Sequence, residues 1–430
     1  MFTFGRNGGI PYPAPHAEVN MTPEHVPPRS ASEDLGRDWF LGYALAWFAY
    51  WLLVMMPPQF MTPHLIGIIE PEQKVGVLSF LLILNAAVAV VCVPLAGMAC
   101  DRTRSRFGRR RIWAVGGLLV AGVPFALVGS QDDWRVVAAL MVPVSMGTSA
   151  FLVALSAVIA DRVPPRRRGT ASAAMGVPQV VAVVVGMVIV TMLVTSLGAS
   201  WAVIAFLAAV AAAPFLLGGR GRPGPAMQPG ARVKAGEKVP FPRPRKHPDY
   251  YWALASRVLI NAGNGIGTAY LLYFLDDVLH RKDPDTSLLI LTLVYLVFCA
   301  VSGFLGGRLS DRLGRRRELV ALAGALQAAA ALLLAVVPSW PTAILSAMLL
   351  GVGLGAFLSV DQALVTDVLP DQRTRARDLG IINAAQNVPL YAAIGWAVLA
   401  LLDDYQALYA AAALIMVLGS VSVMRIRSVR

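Results

Sequence analysis

Two ionisable side chains stand where charge is costly. Arg257 and Asp361 lie well inside long apolar runs, about seven residues after the start of one and about six before the end of another. At about 1.5 Å per residue of helix, both fall roughly 10 Å from the same edge of an apolar slab. Equal depth allows an ion pair. An acid that can gain and lose a proton beside a fixed guanidinium can link proton binding to a helix rearrangement. The alternative for Arg257 is to run its stem out toward headgroups. Amides surround these positions. Asn261, Asn264 and Thr268 follow Arg257 at i+4, i+7 and i+11, one stripe of a helix. Asn383, Gln386 and Asn387 form a second set at i, i+3 and i+4, with Tyr391 one turn further. Asn85 and Gln179 are amides in two other runs, and Trp47 and Trp51 share a face where rings can stack on an apolar ligand surface. Polar groups embedded in lipid line a cavity or hold helices together by hydrogen bonds, and both roles remain open here.

Such side chains need a scaffold, and composition says which kind. Of 430 residues, 57% are hydrophobic and 14% charged, against about 45–50% and about 25% in soluble domains. Mean hydropathy is +0.63. A chain this apolar cannot cover itself with polar groups in water, so its solvent is a bilayer. A spanning helix takes about 20 apolar residues. Apolar runs at 39–57, 75–98, 112–129, 135–160, 171–195 and 199–218, then 250–275, 286–306, 318–338, 341–366, 379–401 and 406–424, supply twelve. The expected fold is an all-α integral membrane protein of 12 transmembrane helices. Cys92, Cys100 and Cys299 lie inside these runs or at their ends, which excludes a disulfide framework and a cysteine-based zinc site. No spaced His cluster, nucleophile elbow or phosphate loop points to an enzyme or a cofactor. Gly351-x-Gly353-x-Gly355 falls inside a run and reads as close helix packing.

The net charge of +12 comes from 37 basic residues. They concentrate in the loops after every second run, at 102–111, 162–168, 220–246, 308–317 and 373–377, and in the termini. Only Lys74, Arg135, Arg281 and Lys282 fall on the other side. This alternation is the positive-inside pattern and not a nucleic-acid patch, and it places both termini in the cytoplasm. Arg outnumbers Lys by 32 to 5, the bias of a GC-rich bacterial genome, so the expected location is a bacterial inner membrane. Residues 1–37 are Pro-rich and polar with no signal-peptide pattern, and read as a disordered cytosolic tail. A first bundle is expected over 38–218 and a basic Pro/Gly-rich linker over 219–247. A second bundle follows over 248–424, then a short cytosolic tail over 425–430.

The two halves repeat. Gly97, Asp101 and Arg102 lead to Gly108 and Arg109; Gly307, Asp311 and Arg312 lead to Gly314 and Arg315. The first copy has four extra residues before its second Gly. Asp161 and Pro164 end the fourth run as Asp367 and Pro370 end the tenth, both pairs 206 residues apart. Two six-helix bundles related by a pseudo-twofold axis along the membrane normal follow, with a cavity between them. Gly97 and Gly307 allow close helix approach. The four acids and the arginines Arg102, Arg109, Arg312 and Arg315 can form a latch that opens in one conformation and closes in another.

At these residues the chain resembles major facilitator superfamily transporters over about residues 38–424. The longer first copy of the loop, and the stretch from Val360 and Asp361 through Asp367 to Gly380, resemble the glycoside–pentoside–hexuronide cation symporters and their sucrose-transporter relatives. The resemblance implies proton- or cation-coupled uptake of a sugar or glycoside by a monomer rocking around a central site, with solute, coupling ion and lipid bilayer as its partners. Cation symporters of that branch place acids in the first half; here the second run offers Asn85 and no acid before Asp101, so Asp361 becomes the expected coupling carboxylate with Arg257 its partner. Two other functions compete. Proton-coupled efflux of a drug or secondary metabolite is one, although Gly176, Pro178, Gln179 and Gly186 do not reproduce the Gly-Pro-x-x-Gly-Gly-like run of many exporters. A non-transporting receptor or scaffold is the other, and no added soluble domain is present to relay a signal.

Overall fold

A chain in lipid has to satisfy its backbone N–H and C=O groups internally, and helices do this within one segment. The computed structural model describes residues 36–103, 109–163, 168–194, 196–218, 244–313, 315–368 and 390–428, and among these there is no strand. The first half comprises α1 (Arg37–Met56), α2 (Thr62–Ile69), α3 (Lys74–Arg102), α4 (Arg109–Val128), α5 (Trp134–Arg162), α6 (Arg168–Val188) and α7 (Leu197–Gly218). The second comprises α8 (Pro248–Ala269), α9 (Leu271–Asp277), α10 (Pro284–Leu313), α11 (Arg316–Val336), α12 (Trp340–Asp367), α13 (Leu390–Leu402) and α14 (Tyr405–Met424). Ten helical spans among the described residues are long and apolar enough to cross a bilayer; the bent pair α8–α9 makes an eleventh, and α13 contributes a shorter apolar helix over Tyr391–Leu402.

Two spans depart from the sequence expectation. The sequence places the end of the first run near 57, yet it continues through a π-helical turn over Pro57–Met61 into α2, a helix of 33 residues from Arg37 to Ile69. Pro57 and Pro58 lack N–H groups and crowd the preceding carbonyls; a widened turn lets the helix pass them. The sequence reads the seventh run as continuous, but α8 and α9 meet at 40° around Tyr270. Proline is spread unevenly. Pro94, Pro124, Pro143, Pro178 and Pro214 lie inside α3 to α7, while the described helices of the second half carry none beyond their first turns.

The sequence repeat becomes a repeat of packing partners. In the first half α5 packs on α3 and α4, and α7 on α1 and α4; in the second, α12 packs on α10 and α11, and α14 on α8 and α11. The Arg-rich junctions α3/α4 and α10/α11 lie at one end of the spans, here termed the basic end. At the other, acidic end, carboxylates and hydroxyls start the helices. Asp404 accepts from Gln406 N at 2.7 Å, and Ser339 forms a capping box with Thr342. Hydrogen bonds from Thr286 hold the Asp283 carboxyl below the usual carboxylate range.

Glycine sets how closely these helices approach. A Cβ on Gly117 of α4 would lie 2.7 Å from the Gly147 carbonyl of α5. In the second half, Cβ atoms on Gly351 and Gly355 would strike the Tyr295 and Cys299 carbonyls of α10, and one on Gly353 the Ala323 carbonyl of α11. Gly351-x-Gly353-x-Gly355 therefore packs α12 against helices on two sides. Gly117→Ala should lower stability by about 1–3 kcal/mol through overpacking. Gly116→Ala, one residue away with nothing within 4 Å, should leave stability unchanged or raise it by up to about 1 kcal/mol. Thermal midpoints of the two purified variants check this, and equal shifts would refute it.

Candidate functional site

Arg257 and Asp361 meet. Arg257 Nε lies 3.2 Å from Asp361 Oδ2, joining α8 to α12. The residues are 6% and 2% exposed. Their neighbours along the two helices, Ala253, Ile260, Phe357, Val360 and Leu364, belong to one buried apolar cluster. Asp361 Oδ1 is buried too and finds no hydrogen-bond partner among the described residues. A carboxylate so placed has one oxygen committed to a guanidinium and one open to a proton.

Further along α8, a cavity of ≈ 110 Å³ opens inside the second half, with Gln59 of the first half in its wall. Asn264, Thr268, Thr292, Tyr295 and Ser346 supply polar groups; leucines, alanines, Tyr409 and Met416 supply the rest. No charged side chain lines it among the described residues. Asn264 Nδ2 donates to Gln327 Oε1 at 3.2 Å, and Gln327, on α11, is fully buried. Asn261 turns back to its own helix, donating to the Arg257 carbonyl at 2.8 Å, and does not line the cavity. Neither do Asn85 and Gln179, both half-buried. Asn383, Gln386 and Asn387 lie outside the described residues. Tyr391, beyond them, presses its ring on Gly265 of α8.

Trp47 differs from the sequence expectation. It is 1% exposed, set among Tyr43, Tyr50 and Trp51, so its ring is covered by protein and offers no stacking face in this conformation. Tyr43 donates to the Leu155 carbonyl at 3.1 Å and Trp51 Nε1 to the Met175 carbonyl at 2.9 Å. The aromatic run of α1 is part of the main buried apolar core.

The two halves are joined at the acidic end. Lys74 Nζ at the start of α3 lies 2.6 Å from Asp277 Oδ1 at the end of α9, and Tyr405 donates to the other oxygen of Asp277 at 2.7 Å. His64 Nδ1 lies 3.1 Å from Asp285 Oδ1. Tyr273 donates to the Pro63 carbonyl at 3.0 Å. The Tyr270 hydroxyl, at the bend between α8 and α9, meets Ser79 Oγ at 2.7 Å and donates to the Ala392 carbonyl at 3.1 Å, tying α3, α13 and the bend together.

At the basic end, Asp101, Asp161, Asp311 and Asp367 occupy the last turns of α3, α5, α10 and α12, Gly307 lies within α10, and Arg109 opens α4. Their side-chain surroundings, and Gly108 and Gly314 altogether, fall outside the described residues. Arg102, Arg312 and Arg315 are exposed, and Arg315 pairs locally with Glu318 at 3.3 Å. The close approach expected at Gly97 is not made in this conformation: a Cβ there would meet no described atom within 4 Å.

Residues 39–282 and 258–430 match the family model of the Major Facilitator Superfamily, together spanning nearly the whole chain. The chain belongs to the major facilitator superfamily. It is accordingly a multi-pass membrane transporter of a small solute and not an enzyme. No curated protein sequence matches it. The structure is similar to that of the nucleoside transporter NupG, with a TM-score of 0.66 at 12% identity over 90% of this chain and 99% of that one. It is also similar to a bacterial homologue of the human lysosomal transporter Spinster in an inward-facing, unoccupied conformation, with a TM-score of 0.64 at 16% identity over 92% and 95%. These likenesses establish the fold.

The contacts that join the two halves at the acidic end have no counterpart in the sequence pattern. Lys74 stood out only as one of four basic residues on the sparsely charged side, and nothing marked Asp277, His64 or Asp285 as its companions. Gln327 carried a usable signal, a lone amide in an Ala-rich run. If the Lys74–Asp277 pair helps to hold this end shut, Lys74→Glu sets like charges together and should raise the open population about fivefold, for a pair worth about 1 kcal/mol. Labelling of Thr292→Cys by an impermeant maleimide from that end, in a background lacking the native cysteines, reports the change. The swap Lys74→Asp with Asp277→Lys should restore slow labelling, and labelling at the wild-type rate in Lys74→Glu would remove the pair from the gate.

Proposed function

We propose that the transporter is a proton-coupled symporter of a small neutral solute, a sugar or glycoside, working by alternating access with Asp361 as its coupling carboxylate. The observation that carries this reading is the buried Arg257–Asp361 pair, an acid whose protonation removes a charge from an apolar interior and loosens α8 from α12. The uncharged walls of the Asn264 cavity support a neutral cargo, and a nucleoside, the cargo of the similar NupG, shares that chemistry. With the basic loops and both termini in the cytoplasm of a bacterial cell, the end closed by Lys74 and Asp277 faces outward, as in the inward-facing Spinster homologue. The duplicated Asp101 and Asp311 loops then form the cytoplasmic gate of the opposite state.

The amide cluster tests the cargo assignment. Asn264→Ala removes a cavity hydrogen-bonding group and strands Gln327, a cost of about 1–3 kcal/mol. Solute binding to the purified protein should weaken roughly ten- to a hundredfold; unchanged affinity would leave Asn264 as packing only.

Coupling is tested in proteoliposomes under an imposed pH gradient. Asp361→Asn should abolish accumulation against the gradient and, by leaving a buried guanidinium without its acid, destabilise by about 3–5 kcal/mol. Arg257→Gln combined with Asp361→Asn should recover stability without recovering accumulation. A purified Asp361→Asn protein that still concentrates solute ends the proposed role of this acid.

A further inference from the structure

At the basic end of the second half a separate cavity of ≈ 650 Å³ lies between the first turn of α8, the first turn of α11 and the end of α14. Arg317, Arg425 and Arg427 line it with Trp252, Met424 and a single acid, Asp249. The acid is already engaged: Asp249 Oδ2 accepts the backbone N–H groups of Arg427 at 3.2 Å and Ser428 at 2.8 Å, which pins the chain end to α8. Arg317 donates one guanidinium nitrogen to the Ile426 carbonyl at 2.9 Å, and its Nε is buried with no hydrogen-bond partner among the described residues. The Arg425 guanidinium stands 5.1 Å over the Trp252 ring. Three positive charges around a concave space, two of them held by Ile426 and Trp252, with the one carboxylate turned to backbone donors, make a receptor for an anion with several acceptor oxygens.

A second observation says what carries the anion. Met424 on the cavity wall is the last member of an exposed apolar stripe down α14, with Leu414, Leu418 and Val421 at helical spacing, and Leu322 is exposed on neighbouring α11. The cavity therefore opens onto the lipid-facing surface, with a path for acyl chains leading from it. We propose that this cavity binds the phosphodiester headgroup of an anionic phospholipid. Basic pockets between spanning helices take such headgroups, while Trp favours the headgroup level.

The experiment uses the full-length protein in a neutral detergent, with phosphatidylglycerol, phosphatidylcholine or inorganic phosphate added separately. Thermal midpoint and retained lipid by native mass spectrometry are the readouts. Phosphatidylglycerol should raise the midpoint and co-purify, and the other two should not. Arg425→Gln with Arg427→Gln should weaken its binding by about fivefold per arginine, near 25-fold together. Arg427→Gln alone is the second variant, since that residue's structural bond runs through its backbone N–H. Arg111→Gln with Arg308→Gln removes equal charge outside the cavity and should keep the full effect. Equal protection of wild type and both cavity variants, or equal protection by phosphatidylcholine, overturns the proposal. Protection by inorganic phosphate alone reassigns the cavity to a free anion and overturns the lipid.

Discussion

A guanidinium held away from headgroups in an apolar interior is costly unless an acid or other acceptors stand beside it, and that constraint shapes how the seventh span is held. Below its bend, α8 is bound into its own half by Arg257 and Asp361. Above the bend, α9 is bound to the other half by Tyr273 and Asp277. Tyr270 sits where the two attachments meet, its hydroxyl shared between Ser79 and the Ala392 carbonyl. The bent seventh span thus answers to both halves; with Asp361 as the proposed coupling acid, a proton there acts on one attachment and not directly on the other.

The duplication shows how the two halves came to differ. At the 206-residue offset that relates Asp161 to Asp367, Asp361 corresponds to Leu155. In the first half that position is met by a hydroxyl, Tyr43 donating to the Leu155 carbonyl, beneath the covered ring of Trp47. The same helix crossing is an aromatic seal in one half and an ion pair in the other. The halves share a scaffold, and the titratable pair belongs to the second.

Features carried by composition and period were legible in the sequence. Spans, loop charge, the repeated Gly-Asp-Arg loops and the equal depth of Arg257 and Asp361 all follow from counting along the chain, because a bilayer fixes the length and polarity of whatever crosses it. Features made by contact were not legible. The bend at Tyr270 has no proline at that point and is held by hydrogen bonds that the Tyr270 hydroxyl makes with two other helices. The amide stripe of α8 divides, Asn264 to the cavity and Asn261 to its own backbone, because i+3 and i+4 spacing puts residues on one face without saying what stands opposite. Lys74 and Asp277 are 203 residues apart, a distance over which no local pattern extends.

The uneven placement of proline has a mechanical consequence. Each proline inside a helix deletes one backbone tie and leaves a carbonyl to be answered by a neighbour or a water, so the rod is softer at that point. The first half carries such soft points in α3 to α7, while the described helices of the second half carry no proline past their first turns. Under the alternating access proposed above, strain would collect first at these softer points. The second half, which bears the ion pair, keeps these ties in its described helices and places its 40° bend at Tyr270, where hydrogen bonds and not a proline mark the break.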